Sequence, residues 1–154
     1  MRLSALARGA APILAAMALQ SCATLGPSCA ASSGLKRLTI VAELDANGGL
    51  PVATDVVLVT SAEAFDAVKG LDARTYFAGR DQLRGDFPKD LKILSFEVSP
   101  GQQSVAELPD PSCDAVATLL FANYDNNAPN RLRLGPARAG RLRLAREGLS
   151  FTAE

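Results

Sequence analysis

Apolar and polar residues alternate from Lys36 to Leu44, with Leu38, Ile40, Ala42 and Leu44 on one face and Arg37, Thr39, Val41 and Glu43 on the other. A period of two marks a half-buried strand, because successive side chains point to opposite faces of a sheet. Residues 54–59 are valine-rich enough to be central in a sheet. From Leu91 to Val98 the alternation returns, with Leu91, Ile93, Ser95 and Glu97 opposite Lys92, Leu94, Phe96 and Val98. Residues 114–124 form the longest apolar stretch and read as the longest strand, in the middle of its sheet. Arg131-Leu132-Arg133-Leu134 and Arg141-Leu142-Arg143-Leu144 then repeat one another ten residues apart, leucines on one face and arginines on the other. The repeat predicts two strands of a meander, closed by a last strand over 149–153 through the Glu147-Gly148 turn.

The breaks are equally legible. Asp45-Ala46-Asn47-Gly48-Gly49-Leu50-Pro51 is dense in turn formers and predicts a loop. Thr60 stands three residues before Glu63, a capping-box spacing that opens a short helix ending at Gly70. Asp72 is suited to cap a second short helix, through Ala78, with Gly79 as its stop. Residues 80–90, charged and containing Gly85 and Pro88, predict irregular chain. Ser99-Pro100-Gly101-Gln102 is a tight-turn sequence that should return residues 103–108 as the hairpin partner of the strand before it. Short strands, frequent turns and one helical insert together predict a mainly β protein, a two-sheet β-sandwich spanning residues 35–154.

The first 34 residues follow other rules. Arg2 and Arg8 precede an apolar run from Gly9 to Leu19, with no acidic residue before Cys22. That is a secretory signal, and its apolar core is about half the ~20 residues a membrane-spanning helix needs. Leu19-Gln20-Ser21-Cys22 resembles the site cut by the lipoprotein signal peptidase, which makes 1–21 the signal peptide and Cys22 the first mature residue. Its thiol would carry diacylglycerol as a thioether, and two or more acyl chains hold a protein to a bilayer where one is marginal. The competing reading is cleavage at an Ala-x-Ala-like site with Cys22 lost. Residues 22–34, small and polar, read as a flexible tether reaching about 40 Å at full extension.

Removing the signal leaves 133 of 154 residues, enough for one domain, with 14 basic and 16 acidic side chains. That balance argues against an overall nucleic-acid binder, although six arginines (131, 133, 138, 141, 143 and 146) fall in the last 24 residues. Such a row is either a solvated strand face or a contact for anionic lipid or an acidic partner. No histidine occurs, which removes Ser-His-Asp and Cys-His catalysis and the commonest transition-metal ligand. Cys29 and Cys113 are an even pair in an oxidising compartment, either bridged or two free thiols. Asp110, Asp114 and Asp125 are the carboxylates from which a hydrolytic pair could be drawn, and 125–127 lacks the spacing of a calcium loop. Phe65, Tyr76, Phe77 and Phe87 should fix the helical insert to the sandwich. Leu50, among glycines and a proline at a loop tip, has no core to serve there and is a candidate for partner contact, against an ordinary connection with Leu50 folded back.

The order of features resembles one family. A lipobox, a first strand, the Asn47 to Pro51 loop, a valine-rich strand, a helix carrying Phe65, a strand ending in Ser99-Pro100-Gly101-Gln102, and one ending in Phe121-Ala122-Asn123-Tyr124-Asp125 are similar to the TssJ outer-membrane lipoproteins of type VI secretion. The chain departs from that family at Leu50 and at Asn123-Tyr124-Asp125, where arginine is usual. The resemblance implies a transthyretin-like sandwich with a helical insert, lipid-anchored to the periplasmic face of the outer membrane. It implies binding of the periplasmic C-terminal domain of the inner-membrane subunit TssM through Asp45, Ala46, Asn47, Gly48, Gly49, Leu50 and Pro51. Nothing in it requires a cofactor, metal, nucleic acid or small-molecule substrate, and the expected role is non-enzymatic. The alternative from the residues is a lipid-anchored ligand- or inhibitor-type binding module on the same sandwich, with a histidine-free hydrolase further behind.

Overall fold

The structure, a computed structural model, describes residues 34–108 and 114–154. Cys22, Cys29 and Cys113, with the signal peptide, the lipidation site, the disulfide and Asp110, lie outside the described residues. Eight strands are present among the described residues: β1 (Arg37–Ala42), β2 (Val52–Val59), β3 (Leu91–Val98), β4 (Gln103–Glu107), β5 (Ala117–Asn123), β6 (Arg131–Leu134), β7 (Ala139–Leu144) and β8 (Leu149–Ala153). They form two four-stranded sheets, β4-β1-β7-β8 and β3-β2-β5-β6. Helices α1 (Ala62–Val68) and α2 (Ala73–Asp86) are inserted between β2 and β3. The two-sheet sandwich with a helical insert is the architecture that the periodicity predicts.

Leu38 and Ile40 from β1, Leu142 and Leu144 from β7, Val56 and Leu58 from β2 and Leu120 from β5 meet between the sheets, all fully buried. Each such side chain removed from water contributes about 1.5–3 kcal/mol. β2 and β5 are covered on both faces. Their alternate residues, Val57, Val59, Leu119 and Phe121, pack outward under the helices against Ala64, Val68, Ala73 and Tyr76. That double burial is why both read as near-continuous apolar runs and sit inside their sheet.

α2 runs straight through the expected stop at Gly79 and takes in most of the residues 80–90 expected to be irregular. The reason is its inner stripe: Ala73, Tyr76, Leu83 and Phe87, with Arg80 between, recur at helical spacing and face the sheet. Burying that stripe outweighs the roughly 1 kcal/mol that a glycine costs in a helix interior. Asp72 caps α2 as expected, accepting from Thr75 N at 2.7 Å. For α1 the cap is Ser61, not Thr60, accepting from Ala64 N at 3.2 Å. Thr60 is instead tied to the carbonyl of Asp90. Phe65, Tyr76, Phe77 and Phe87 do fasten the insert to the sheet.

Three further expectations are corrected. β4 pairs with β1 in the opposite sheet, not with β3 as a hairpin. The Ser99–Gln102 turn forms, but Gly101 (φ +77°) donates its N–H to the carbonyls of Ala42 and Glu43, and Gln102 O accepts from Ala42 N. These bonds carry the chain across to the end of β1. The two Arg-Leu repeats are not neighbours: β6 pairs with β5, whereas β7 runs parallel to β1 and antiparallel to β8. β5 is central but has seven residues, while β2 and β3 have eight.

The registers place all four odd-to-even connections at one pole. Val52 pairs with Val98, Val41 with Gln103, Phe121 with Arg131, and Leu144 with Leu149. Residues 34–36 enter at the other pole, where Lys36 and Arg37 N–H groups meet Arg138 O and Leu108 N donates to Lys36 O.

Candidate functional site

The Asp45–Pro51 loop sits at the pole of the four connections. It contains a short 3-10 turn, Ala46–Gly49, in which Asn47 (φ 49°) and Gly48 (φ 64°) are left-handed, followed by Gly49 at φ 93°. Asparagine and glycine are the residues that adopt such backbone most readily, so Asn47-Gly48-Gly49 encodes the reversal directly. Gly48 N bonds to Asp45 O and Leu50 N to Asn47 O, while Ala46 is fully buried as a plug.

The amide of Asn47 is the joint. Its Oδ1 accepts from Asp125 N at 2.8 Å, and its Nδ2 donates to Pro51 O at 3.3 Å. The 124–130 loop is in turn bonded to the β7–β8 turn: Asn126 Nδ2 donates to Glu147 O at 3.1 Å and the Tyr124 hydroxyl donates to Gly148 O at 2.7 Å. Asn47 N also meets Ala145 O at 3.4 Å. Three loops from both sheets are thereby one hydrogen-bonded unit. Burial, and next the nearby Glu43 carboxylate, push the Tyr124 hydroxyl up to about 12.

Two leucines bracket the loop in the open, Leu44 at 86% and Leu50 at 54% exposure. Leu50 therefore does not fold back over the sandwich. Leu44, expected on the inner face of the first strand, lies beyond its end at Ala42, with its side chain over Gly101. Between the loops a groove of about 540 Å³ is lined by Asn47, Gly48, Leu50, Asp125, Arg146 and Glu147, among others.

Its amides are turned inward. Asn126 Oδ1 accepts from Ala128 N at 2.9 Å and Asn130 Nδ2 at 2.7 Å, so it serves loop structure. Among the described residues no cluster of acidic, histidine or cysteine side chains could hold a metal. Asp114 and Asp125 flank β5 on opposite sides. Seven residues at about 3.4 Å each put them at opposite poles, too far apart to act on one bond.

All seven loop residues read from the sequence are thus brought together. Tyr124, Asn126, Arg146 and Glu147 complete the face: the sequence points to Arg146 only as one of a row of arginines and to the others only as parts of loops or of a strand end, not as neighbours of Asn47. Their approach to Asn47 follows from strand order, which no local signal carries.

No family model and no curated protein matches this chain. Solved structures do. The T6SS lipoprotein TssJ1 from Pseudomonas aeruginosa is 19% identical, over 78% of this chain and 97% of that one, with a TM-score of 0.56. Lip from Serratia marcescens, a membrane-bound component of the type VI secretion system, is 17% identical over 78% and 99%, TM-score 0.54. A chain of the structure named as the T6SS protein TssM C-terminal domain from EAEC is 16% identical over 77% and 98%, TM-score 0.58. The likeness to TssJ read from the sequence is borne out as a fold: this chain is a TssJ-like β-sandwich.

Proposed function

We propose that this chain is a non-enzymatic lipoprotein of a type VI secretion membrane complex. It is held at the periplasmic face of the outer membrane through lipid on Cys22 and docks the periplasmic C-terminal domain of the TssM subunit through the Asp45–Pro51 loop. The observation that carries the reading is polar. On a TssJ-like sandwich, residues 34–36 lead into β1 at one end, beside Arg138 and Leu108, and the loop with its exposed Leu50 stands at the other. A body tethered at its first pole offers the second to the space away from the bilayer. Among the described residues no helix is long and apolar enough to cross a membrane, so attachment by acyl chains on Cys22 would supply what the domain does not.

The test replaces residues 47–50 by Gly-Ser residues in the full chain and measures co-purification with TssM from detergent-solubilised envelopes. Loss of the partner, with the sandwich still folded by circular dichroism, is the expected result. Undiminished co-purification rejects the loop's role. In parallel, Cys22→Ser should move the protein from the membrane fraction to the soluble periplasmic fraction.

A further inference from the structure

Among the described residues four large apolar side chains are exposed. Leu44 and Leu50 stand at the pole of the loops and Val116 ahead of β5, whereas Val105 is 53% exposed in the middle of β4. β4 is an edge of its sheet, and both helices pack on the other sheet, so no described element covers it. Its backbone is open as well. Ala42 N donates to Gln102 O and Leu108 N to Lys36 O, and bonded pairs alternate along an antiparallel ladder. Ser104 and Ala106 therefore bond to β1, while Gln103, Val105 and Glu107 turn their N–H and C=O groups outward. An open edge with an apolar side chain at its centre is a template for another strand.

We propose that β4 is the self-association edge of this chain: two copies pair β4 with β4 about a two-fold axis at Val105, joining their β4-β1-β7-β8 sheets into one. The occupant is a second copy because the strand is complementary to itself. In that register Val105 meets Val105, Gln103 meets Glu107 and Ser104 meets Ala106, and every outward N–H finds an outward C=O. Glu107, already answered by Arg37 at 2.8 Å, accepts from the Gln103 amide, so no like charges are opposed. The other edges match themselves less well. On β6 the outward residues are Arg131 and Arg133, which would face one another. On β3, with its outward residues all paired, Glu97 would face Leu91. On β8, Leu149 and Phe151 are already packed against the core, so pairing hides little more. The chain enters beside Leu108, so the two entry points lie about 20 Å apart along the strands, and tethers of ~40 Å reach one bilayer from both. An edge of five residues buries less than the ~1,200 Å² of a lasting interface, so the pair forms at the local concentration that a shared bilayer gives. Residues 45–51 take no part, and the pairing holds whether or not that loop docks TssM.

The experiment is disulfide trapping in envelopes of cells that make the full-length chain, each variant read against the parent after mild oxidation. Val105→Cys should raise the cross-linked dimer ~5-fold or more, since paired Cα atoms about 5.5 Å apart suit a disulfide. Gln103→Cys alone and Glu107→Cys alone should stay at the parent's level, because each lies about 14 Å from its own copy, whereas the two co-expressed should link to each other. Val105→Pro removes a donor that points away from β1, so the domain should stay folded by circular dichroism while the dimer trapped by formaldehyde in the same envelopes falls ~10-fold. Val105→Lys serves if the proline variant does not fold. A parent without a formaldehyde-trapped dimer, no rise for Val105→Cys, or a dimer that Val105→Pro and Val105→Lys leave intact overturns the proposal. Equal linking by all three single cysteines is collision without register and overturns it too.

Discussion

The two sheets are equal in strand number, yet one turns an apolar outer face to α1 and α2 while the other turns a polar face to water. On β3-β2-β5-β6 the outward residues include Val57, Val59, Leu119 and Phe121, and the insert packs directly on them. On β4-β1-β7-β8 they include Arg37, Glu107, Arg141 and Arg143, tied in ion pairs: Arg37 with Glu107 at 2.8 Å, Arg141 with Glu154 at 3.0 Å, Arg143 with Glu43. The Arg-Leu repeats follow the same division. In β6, Arg133 lies over the Phe65 ring at 4.7 Å and Arg131 donates to Leu71 O at 3.2 Å, so these arginines clamp the insert. In β7 Leu142 and Leu144 are buried between the sheets, and the two arginines, Arg141 and Arg143, face solvent with acidic partners. Identical sequence thus serves anchorage in one sheet and solubility in the other, and the difference is what lies above the strand.

The largest expected effect falls under the helices. Tyr76 is fully buried, stacked on Phe121 with ring centroids 4.0 Å apart, and its hydroxyl donates to Asp55 at 2.9 Å. Asp55, only 1% exposed, also faces Arg80 at 3.4 Å. Tyr76→Ala should cost about 4 kcal/mol in urea unfolding, from the cavity and from a carboxylate left short of a donor. A loss below ~1 kcal/mol would mean that the insert is not part of the cooperative core.

A middle-sized effect separates the tyrosines from the ion pairs by pH. An unfolded tyrosine loses its proton near pH 10. Tyr124, raised to about 12, keeps its proton longer when folded, and burial with the Asp55 carboxylate raises Tyr76 as well. Each contribution is complete below pH 10 and is lost at higher pH, for Tyr124 as pH rises toward 12, because the unfolded chain releases its protons first. For Tyr124 the loss should be about 2 kcal/mol, and Tyr124→Phe should reduce the alkaline slope. An unchanged slope would place the sensitivity elsewhere.

The smallest effect is the sharpest test of the comparison. Arg133→Ala removes a cation over a ring and should cost about 1 kcal/mol, while Arg141→Ala breaks an exposed pair and should cost at most about 0.5 kcal/mol. Equal costs would erase the distinction between the two faces.

Much of this was legible along the chain. Strand positions follow from period two because burial of one face demands it, and Asn47-Gly48-Gly49 announces its own left-handed reversal. The errors came where partners far apart in sequence decided the outcome. Gly79 lost to the stripe from Ala73 to Phe87, which has value only with a sheet beneath it. The Ser99–Gln102 turn looked like a hairpin because turn chemistry is local, whereas its bonds to the end of β1 are not.

The site divides in the same way. The residues that bend the Asp45–Pro51 loop and leave Leu50 outside are written in the local sequence, through backbone preference and hydrophobicity. That Asn47 meets Asp125, that Arg146 stands on the same face, and that one Arg-Leu segment clamps a helix while its twin meets water depend on which strands are neighbours. Strand order is chosen by the shared core between the sheets, a sum over contacts distant in sequence, and only the folded chain performs that sum.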